Sequence, residues 1–242
     1  MRLLTYNIHK GIGGRDRRYR LERIVEVIED QNPDIIFLQE VDRDVRRSRH
    51  EDQPGLLAEK FHAEHVFQQN VRLKEGGYGN LVLSRWPFVG KHQVSLQLNR
   101  KKPRGAQIVV IDTPEGHLQA VNCHLGLAER ERHWQVAHLL EHPLFRESAH
   151  LPLLIAGDCN DWRNTLAAGE LGRQGFQHAT APPSRFRSFP AYMPLGALDK
   201  AFVRGEIAVR TAHVIRTALS KCASDHLPLV IDFHLNGAGG SK

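Results

Sequence analysis

Four polar residues in a row, Asp158, Cys159, Asn160 and Asp161, follow an apolar run, Leu151 to Ala156, and a glycine. The set admits a thiol nucleophile, a metal site, an acid/base pair or a turn. Side chains alternate along an extended stretch, so Asp158 and Asn160 share one side and Cys159 takes the other. This reading makes Cys159 a small core residue and Asp161 a cap for the chain around Asn164. Similar residue types stand at comparable places elsewhere: Asn7 and Glu40 end apolar runs, His124 follows Leu118 to Cys123, Asp199 follows Leu198, and Asp225 and His226 precede Leu227 to Leu235. Each alone fits a turn; together they place carboxylates, amides and two histidines at strand ends, where a rigid scaffold holds a site. Oxygen donors without Cys/His ligand spacing favour a hard cation, Mg²⁺ or Mn²⁺. Neither HExxH nor CxxC occurs, which argues against zinc, and no GxxxxGK[ST] or GxGxxG loop supports an NTPase or dinucleotide reading. Ser224, Asp225 and His226 are consecutive and cannot converge as a triad.

The elements that must position these residues follow from hydrophobic periodicity. Arg2 to Ile8 reads as a strand, and Leu21, Ile24, Val25 and Ile28 recur at helical spacing within 19–31, closed by Asn32-Pro33. Ile35 to Leu38 and Asn80 to Ser84 read as short strands, and 54–62 as a helix. Ala106 to Ile111 and Leu118 to Cys123 flank DTPEG and read as a hairpin. Leu127 to Glu141 reads as a helix with Trp134, Val136, Leu139 and Leu140 inward. Leu151 to Ala156 is a strand and Thr165 to Arg173 a short helix stopped near Gly175. Ala197 to Val203, Ala208 to Ile215 and Leu227 to Leu235 complete the strands. Hairpins argue against a purely parallel sheet; two packed sheets with helices outside fit better. No internal repeat is visible.

The 242 residues suit one domain, 1–235, followed by a disordered tail, 236–242. The net charge is +6, with basic clusters at Arg15 to Arg20, Arg43 to Arg49 and Asn99 to Arg104. Such clusters suit a polyanion: nucleic acid, nucleotides or anionic lipid headgroups. Three cysteines without framework spacing predict free thiols in a reducing, cytoplasmic setting. The N-terminus has no signal-like apolar region, and no run approaches the ~18 apolar residues of a membrane span.

In order, TYNIHKG, LQEVD, GNLVLSR, NCHLG, GDCND, ALDKAFV and SDHLPL resemble the motif series of the endonuclease/exonuclease/phosphatase superfamily, with its DNase I-like fold, across residues 1–235. The resemblance implies an α/β (α+β) chain folded as a four-layer αββα sandwich, with two mixed or antiparallel sheets face to face. It implies hydrolysis of phosphoesters dependent on Mg²⁺ or Mn²⁺. Glu40 matches the main metal ligand, assisted by Asn7 and Asp225. Asp158 matches the residue that orients or deprotonates water, and Asn160 a donor to phosphoryl oxygens. His226 matches a phosphate-contacting histidine oriented by Asp199. His124 matches a second histidine, a general acid or phosphate ligand. Arg104 and Asn80 resemble residues on the phosphate side of the site.

Departures narrow the substrate. IHKG after Asn7, and His124 in place of a tyrosine motif, disfavour abasic-site repair. No leucine-rich adaptor and no long apolar hairpin of the secreted sphingomyelinase type is present. DNA is the expected substrate, with phospholipid headgroups or small phosphoesters the alternative and a non-catalytic binding module third.

Overall fold

A computed structural model describes residues 1–236. Of the predicted tail, only Asn236 is among them; 237–242 lie outside the described residues. Two six-stranded sheets carry the chain. With strands numbered along the sequence, sheet one runs β11 (Ile207–Val214), β12 (Leu229–Leu235), β1 (Arg2–Asn7), β2 (Ile35–Arg43), β4 (Gly77–Ser84), β3 (Glu64–Arg72). Sheet two runs β5 (Phe88–Ser95), β6 (Gly105–Thr113), β7 (Gly116–His124), β8 (Leu153–Asp158), β10 (Asp199–Arg204), β9 (Gln177–His178). Both follow one pattern: β1 and β2, like β7 and β8, form a central parallel pair, and every other pairing is antiparallel. A parallel pair needs a crossover. Helix α1 (Leu21–Glu29) supplies one; α3 (Glu129–Glu141) and α4 (Pro143–Arg146) supply the other. The repeat that sequence comparison within the chain does not reveal is therefore present as topology. Helices α2 (Gln53–Lys60), α5 (Glu170–Arg173) and α6 (Ser220–Ala223) complete the chain.

The central strands are apolar on both faces because both are covered. Leu3, Ile35, Phe37, Val109, Leu154, Ala156 and Ile231 point between the sheets. Their neighbours Leu4, Ile36 and Leu38 face outward against Ile24 and Ile28 of α1 and Leu57 of α2. On the opposite outer face, Val121, Ile155 and Phe202 pack against Val136, Leu139 and Leu140 of α3. The order of layers is helix, sheet, sheet, helix, as the resemblance implies. No described helix is long and apolar enough to cross a membrane.

A polar bridge crosses the inner interface. Asn122 of β7 donates through Nδ2 to the carbonyls of Leu38 and Leu81 and to Gln107, and its Oδ1 accepts from Gln39 of β2, which also bonds Thr5. All four side chains of this network, Thr5, Gln39, Gln107 and Asn122, are fully buried.

Several boundaries differ from expectation. Strands β3 and β5 were not anticipated: β3 is an edge strand of mostly polar residues with only Val66 and Gln68 buried, and β5 shows only Val94 buried. The helix expected over 165–173 shrinks to Glu170–Arg173. Ahead of it the chain wraps around Asp161, whose carboxylate accepts from the backbone of Thr165 and Leu166 and so caps a turn. Trp134 does not face inward; it lies on the outer side of α3, stacked on His138 one turn on, with centroids 4.8 Å apart.

Candidate active site

The site forms where the strand ends of both sheets meet. Asn7 is the last residue of β1. In β2 a bulge breaks the register between Leu38 and Val41, and Glu40 within it takes φ +58. Bulges re-aim side chains, and this one frees Glu40 from the alternation of its strand. In sheet two, His124 and Asp158 end β7 and β8 as direct partners, and Asp199 begins β10 as the partner of Asp158 on its other side. Gly157 precedes Asp158 at φ +148, with space for no side chain: a Cβ would stand 1.9 Å from the Cys123 carbonyl. The close β7–β8 approach that places His124 beside Asp158 depends on this glycine.

Asp158 is the hub. Its Oδ2 accepts from Asn7 Nδ2 at 3.0 Å and lies 3.3 Å from His124 Nε2 and 3.6 Å from His226 Nε2. Its Oδ1 accepts from the Asn160 backbone at 3.0 Å. Cys159 points into the core under α3, as expected, but the extended strand stops at Asp158: Asn160 takes φ +49 and turns its amide to the Leu125 carbonyl. Burial, the largest influence, raises the Asp158 carboxyl, and His226 and the hydrogen bonds restrain the rise; the result is about 6. A base with this value is ionised at neutral pH yet still takes a proton.

The two histidines hold opposite charge states. Burial works to strip the His226 proton, but Asp199, 2.8 Å from Nδ1, and Asp158 beyond Nε2 hold it at about 10. Ser188 Oγ donates to the same Asp199 oxygen at 2.5 Å, and Phe189 lies on the imidazole at 4.8 Å. His124 is driven well below the usual range, first by burial and then by Arg104. Arg104 Nη1 lies 3.2 Å from His124 Nδ1; a guanidinium has no lone pair, so Nδ1 accepts and the ring proton is assigned to Nε2, facing Asp158.

Asp158, Asp199 and His226 bring three possible ligand atoms within 4.8 Å of one another. Both ring nitrogens of His226 face carboxylates, Nδ1 toward Asp199 and Nε2 toward Asp158, so a protonated ring there offers a cation no lone pair. The oxygen donors expected to hold a cation are Glu40, Asn7 and Asp225. Burial raises the Glu40 carboxyl, but the positive charge of Lys10 and Lys102 works against it and holds the group below the usual carboxylate range. His124 is itself kept neutral, so Lys10, paired directly with Glu40, and Lys102 are the standing charges. A partly buried carboxylate kept ionised, with a flexible ammonium as its direct partner, fits a hard divalent cation. Asn7 Oδ1 accepts from the His9 backbone, and Asp225, partly exposed, lies 3.8 Å from His9 Nε2.

Asn80 donates to the Gly105 carbonyl from β4 to β6, leaving its Oδ1 buried without a partner, and Arg104 Nε is likewise unpartnered. Both orphaned groups border the strand ends that carry His124. Residues that sequence reasoning passed over include Lys10, Ser188 and Phe189. Lys10 lies inside a motif already singled out, IHKG; Ser188 and Phe189 lie in an irregular stretch whose partners are distant in sequence. All three cysteines are free thiols, as expected.

Comparison with known proteins bears on the family and the fold. The family model for the endonuclease/exonuclease/phosphatase family aligns with residues 4–226. YbhP of Escherichia coli K12, an uncharacterized protein, is 33% identical over 97% of this chain and 96% of its own length. The crystal structure of an endonuclease/exonuclease/phosphatase from Beutenbergia cavernae superimposes with a TM-score of 0.83 at 25% identity, covering 98% of this chain and 72% of that one. A mannosyl-6-phosphatase of Bacteroides thetaiotaomicron shares the fold, with a TM-score of 0.73 at 14% identity over 96% of this chain and 99% of that one. With the ordered motifs, the paired sheets and the full-length match in agreement, the chain belongs to the endonuclease/exonuclease/phosphatase family of phosphoester hydrolases.

Proposed function

We propose that this chain hydrolyses phosphodiester bonds with a divalent cation, Mg²⁺ or Mn²⁺, held by Glu40 with Asn7 and Asp225. The observation that carries the reading is Asp158: a buried carboxylate near 6, contacted from both sheets at once and flanked by one neutral and one charged imidazole. A cation on Glu40 supplies charge neutralisation at a phosphoryl oxygen and at the departing oxygen. The chain's residues do the rest. Asp158 orients a water and takes its proton as the water oxygen bonds phosphorus in line with the breaking bond. The His226 imidazolium, kept charged by Asp199, faces the negative charge that builds on the phosphoryl group. His124 Nε2–H and the Asn160 amide stand on the same wall as further donors, and Arg104 steers the anion from the β6 side.

DNA is the substrate class the basic loops support: Lys10, Arg47 and Lys102 all lie over the Tyr78 ring at 5.1–5.7 Å, close to Glu40. A second reading, a phosphodiester in a phospholipid headgroup, is favoured by exposed apolar residues beside His226, described below. The test is a panel of plasmid DNA, bis(p-nitrophenyl) phosphate and phospholipid vesicles, with Mg²⁺, Mn²⁺ or EDTA. Hydrolysis that needs the cation and disappears in Asp158→Asn supports the reading. Full activity in EDTA, or an unchanged Asp158→Asn enzyme, defeats it.

A further inference from the structure

The segment between β9 and β10 makes a tight turn over Phe189–Gly196. Leu195 and Gly196 both donate backbone hydrogen bonds to the Phe189 carbonyl, and Met193 donates to Pro190. The turn is tied to the site: Ala191 donates to the Asp225 carbonyl, and Phe189 rests on His226. At its tip, Tyr192, Met193 and Leu195 are 57%, 55% and 58% exposed. Trp162, four residues beyond Asp158, is 52% exposed. It packs edge-on against Phe189 with centroids 6.0 Å apart and lies over Gly196, where a Cβ would meet its ring at 2.8 Å. Three large apolar side chains thus project from a hydrogen-bonded turn beside His226, and Trp162 joins them from the segment after β8. Apolar surface gathered this way marks a contact surface.

Its chemistry is uneven in an informative way. Trp162 and Tyr192 are the aromatic types that settle at a bilayer interface, while Met193 and Leu195 offer a nucleobase no π face to stack on. Basic residues accompany them. Arg185 and Arg187, in the same segment, and Arg216, which donates to both their carbonyls, are exposed and have no ion-pair partner among the described residues. Apolar tips flanked by unpaired arginines complement an anionic bilayer, with side chains entering the acyl boundary and guanidinium groups meeting phosphates.

We infer that the Phe189–Gly196 turn, with Trp162, is a docking surface for an anionic phospholipid membrane, which would bring headgroup phosphodiesters, the second substrate class above, to the neighbouring site. The inference rests on the phosphodiesterase reading only for the second half of that statement. Met193 and Leu195 are more than half exposed, and their hydrogen bonds are backbone bonds within the turn.

Vesicle co-sedimentation of the full chain tests it, using phosphatidylcholine vesicles with and without phosphatidylglycerol. The expected result is binding that requires phosphatidylglycerol and weakens roughly tenfold in Met193→Ser/Leu195→Ser, since losing two buried apolar side chains removes more than the 1.4 kcal/mol of a decade. Hydrolysis of bis(p-nitrophenyl) phosphate stays unchanged in that variant. Trp162 fluorescence, read against Trp162→Phe, shifts to shorter wavelength on binding. A wild-type chain that ignores both vesicle types, or a double variant that binds them like wild type, overturns the inference. Equal loss of labelled duplex DNA binding in the double variant, without vesicle binding, assigns the turn to nucleic acid instead. Vesicle binding with no hydrolysis of any phosphodiester leaves the docking surface standing and removes the catalytic reading.

Discussion

Asp158 receives contacts from Asn7, His124, Asn160 and His226, which lie on four separate segments. Replacing it with Asn keeps the shape and removes the base; kcat on a soluble phosphodiester is expected to fall by about 10²–10⁴ with the melting temperature little changed. Lys10 offers a second test at this scale. Its ammonium competes with any cation for Glu40. Isothermal titration with Mn²⁺ is expected to show several-fold tighter binding in Lys10→Met and loss of binding in Glu40→Gln. Unchanged Mn²⁺ binding in both variants argues that Glu40 is not a cation ligand. Part of the site was legible because its residues sit in short local motifs: Asp158 with Asn160, and His226 after Asp225. Ser188 and Phe189 were not, because their importance comes from Asp199 and His226, which only folding brings near.

Among elements, the parallel pairs β1–β2 and β7–β8 do the positioning, and each ends in site residues. Gly157 is the most exposed to substitution in this scheme. Gly157→Ala forces a Cβ into the Cys123 carbonyl at a φ of +148, which L-residues rarely adopt. A loss of more than about 2 kcal/mol in urea unfolding is expected, together with lost activity, since the His124–Asp158 register depends on this approach. The central strands were readable from sequence as continuous apolar runs because both of their faces are buried. Edge strands β3 and β5 were not: polar Gln68 and His92 take inward positions while Val89 is exposed, so EHVFQQNVR and FVGKHQVS lack the alternation a half-solvated strand usually shows. The segment after Asp161 reads as a helix by composition, yet the Asp161 carboxylate captures the amides of Thr165 and Leu166 in a turn first.

At the scale of the molecule, Asn122 joins the two sheets. Asn122→Ala leaves the Leu38 and Leu81 carbonyls and the Gln39 and Gln107 amides short of a buried partner, and a cost of about 3 kcal/mol is expected by urea unfolding. A pH effect is expected at the other end of sheet two. His178 stacks on Phe202 and is lowered to about 4, first by burial and then by Lys200. The folded chain then binds fewer protons than the unfolded chain between pH 6.5 and about 4. This contribution is complete above 6.5 and lost as pH falls through that window. The stability of His178→Gln is expected to decline less steeply across it than that of wild type, as read from paired urea titrations.

Sheet two is built from one continuous stretch, β5 to β10, whereas sheet one joins β1 to β4 with β11 and β12 from beyond that stretch. A chain leaving the ribosome can therefore complete sheet two while sheet one still lacks two strands. Asp225 and His226 come just ahead of β12, after every strand of sheet two, so the imidazolium that faces Asp158 is made later than Asp158 itself. Any activity that needs His226 is therefore expected only once the chain beyond β11 has been made.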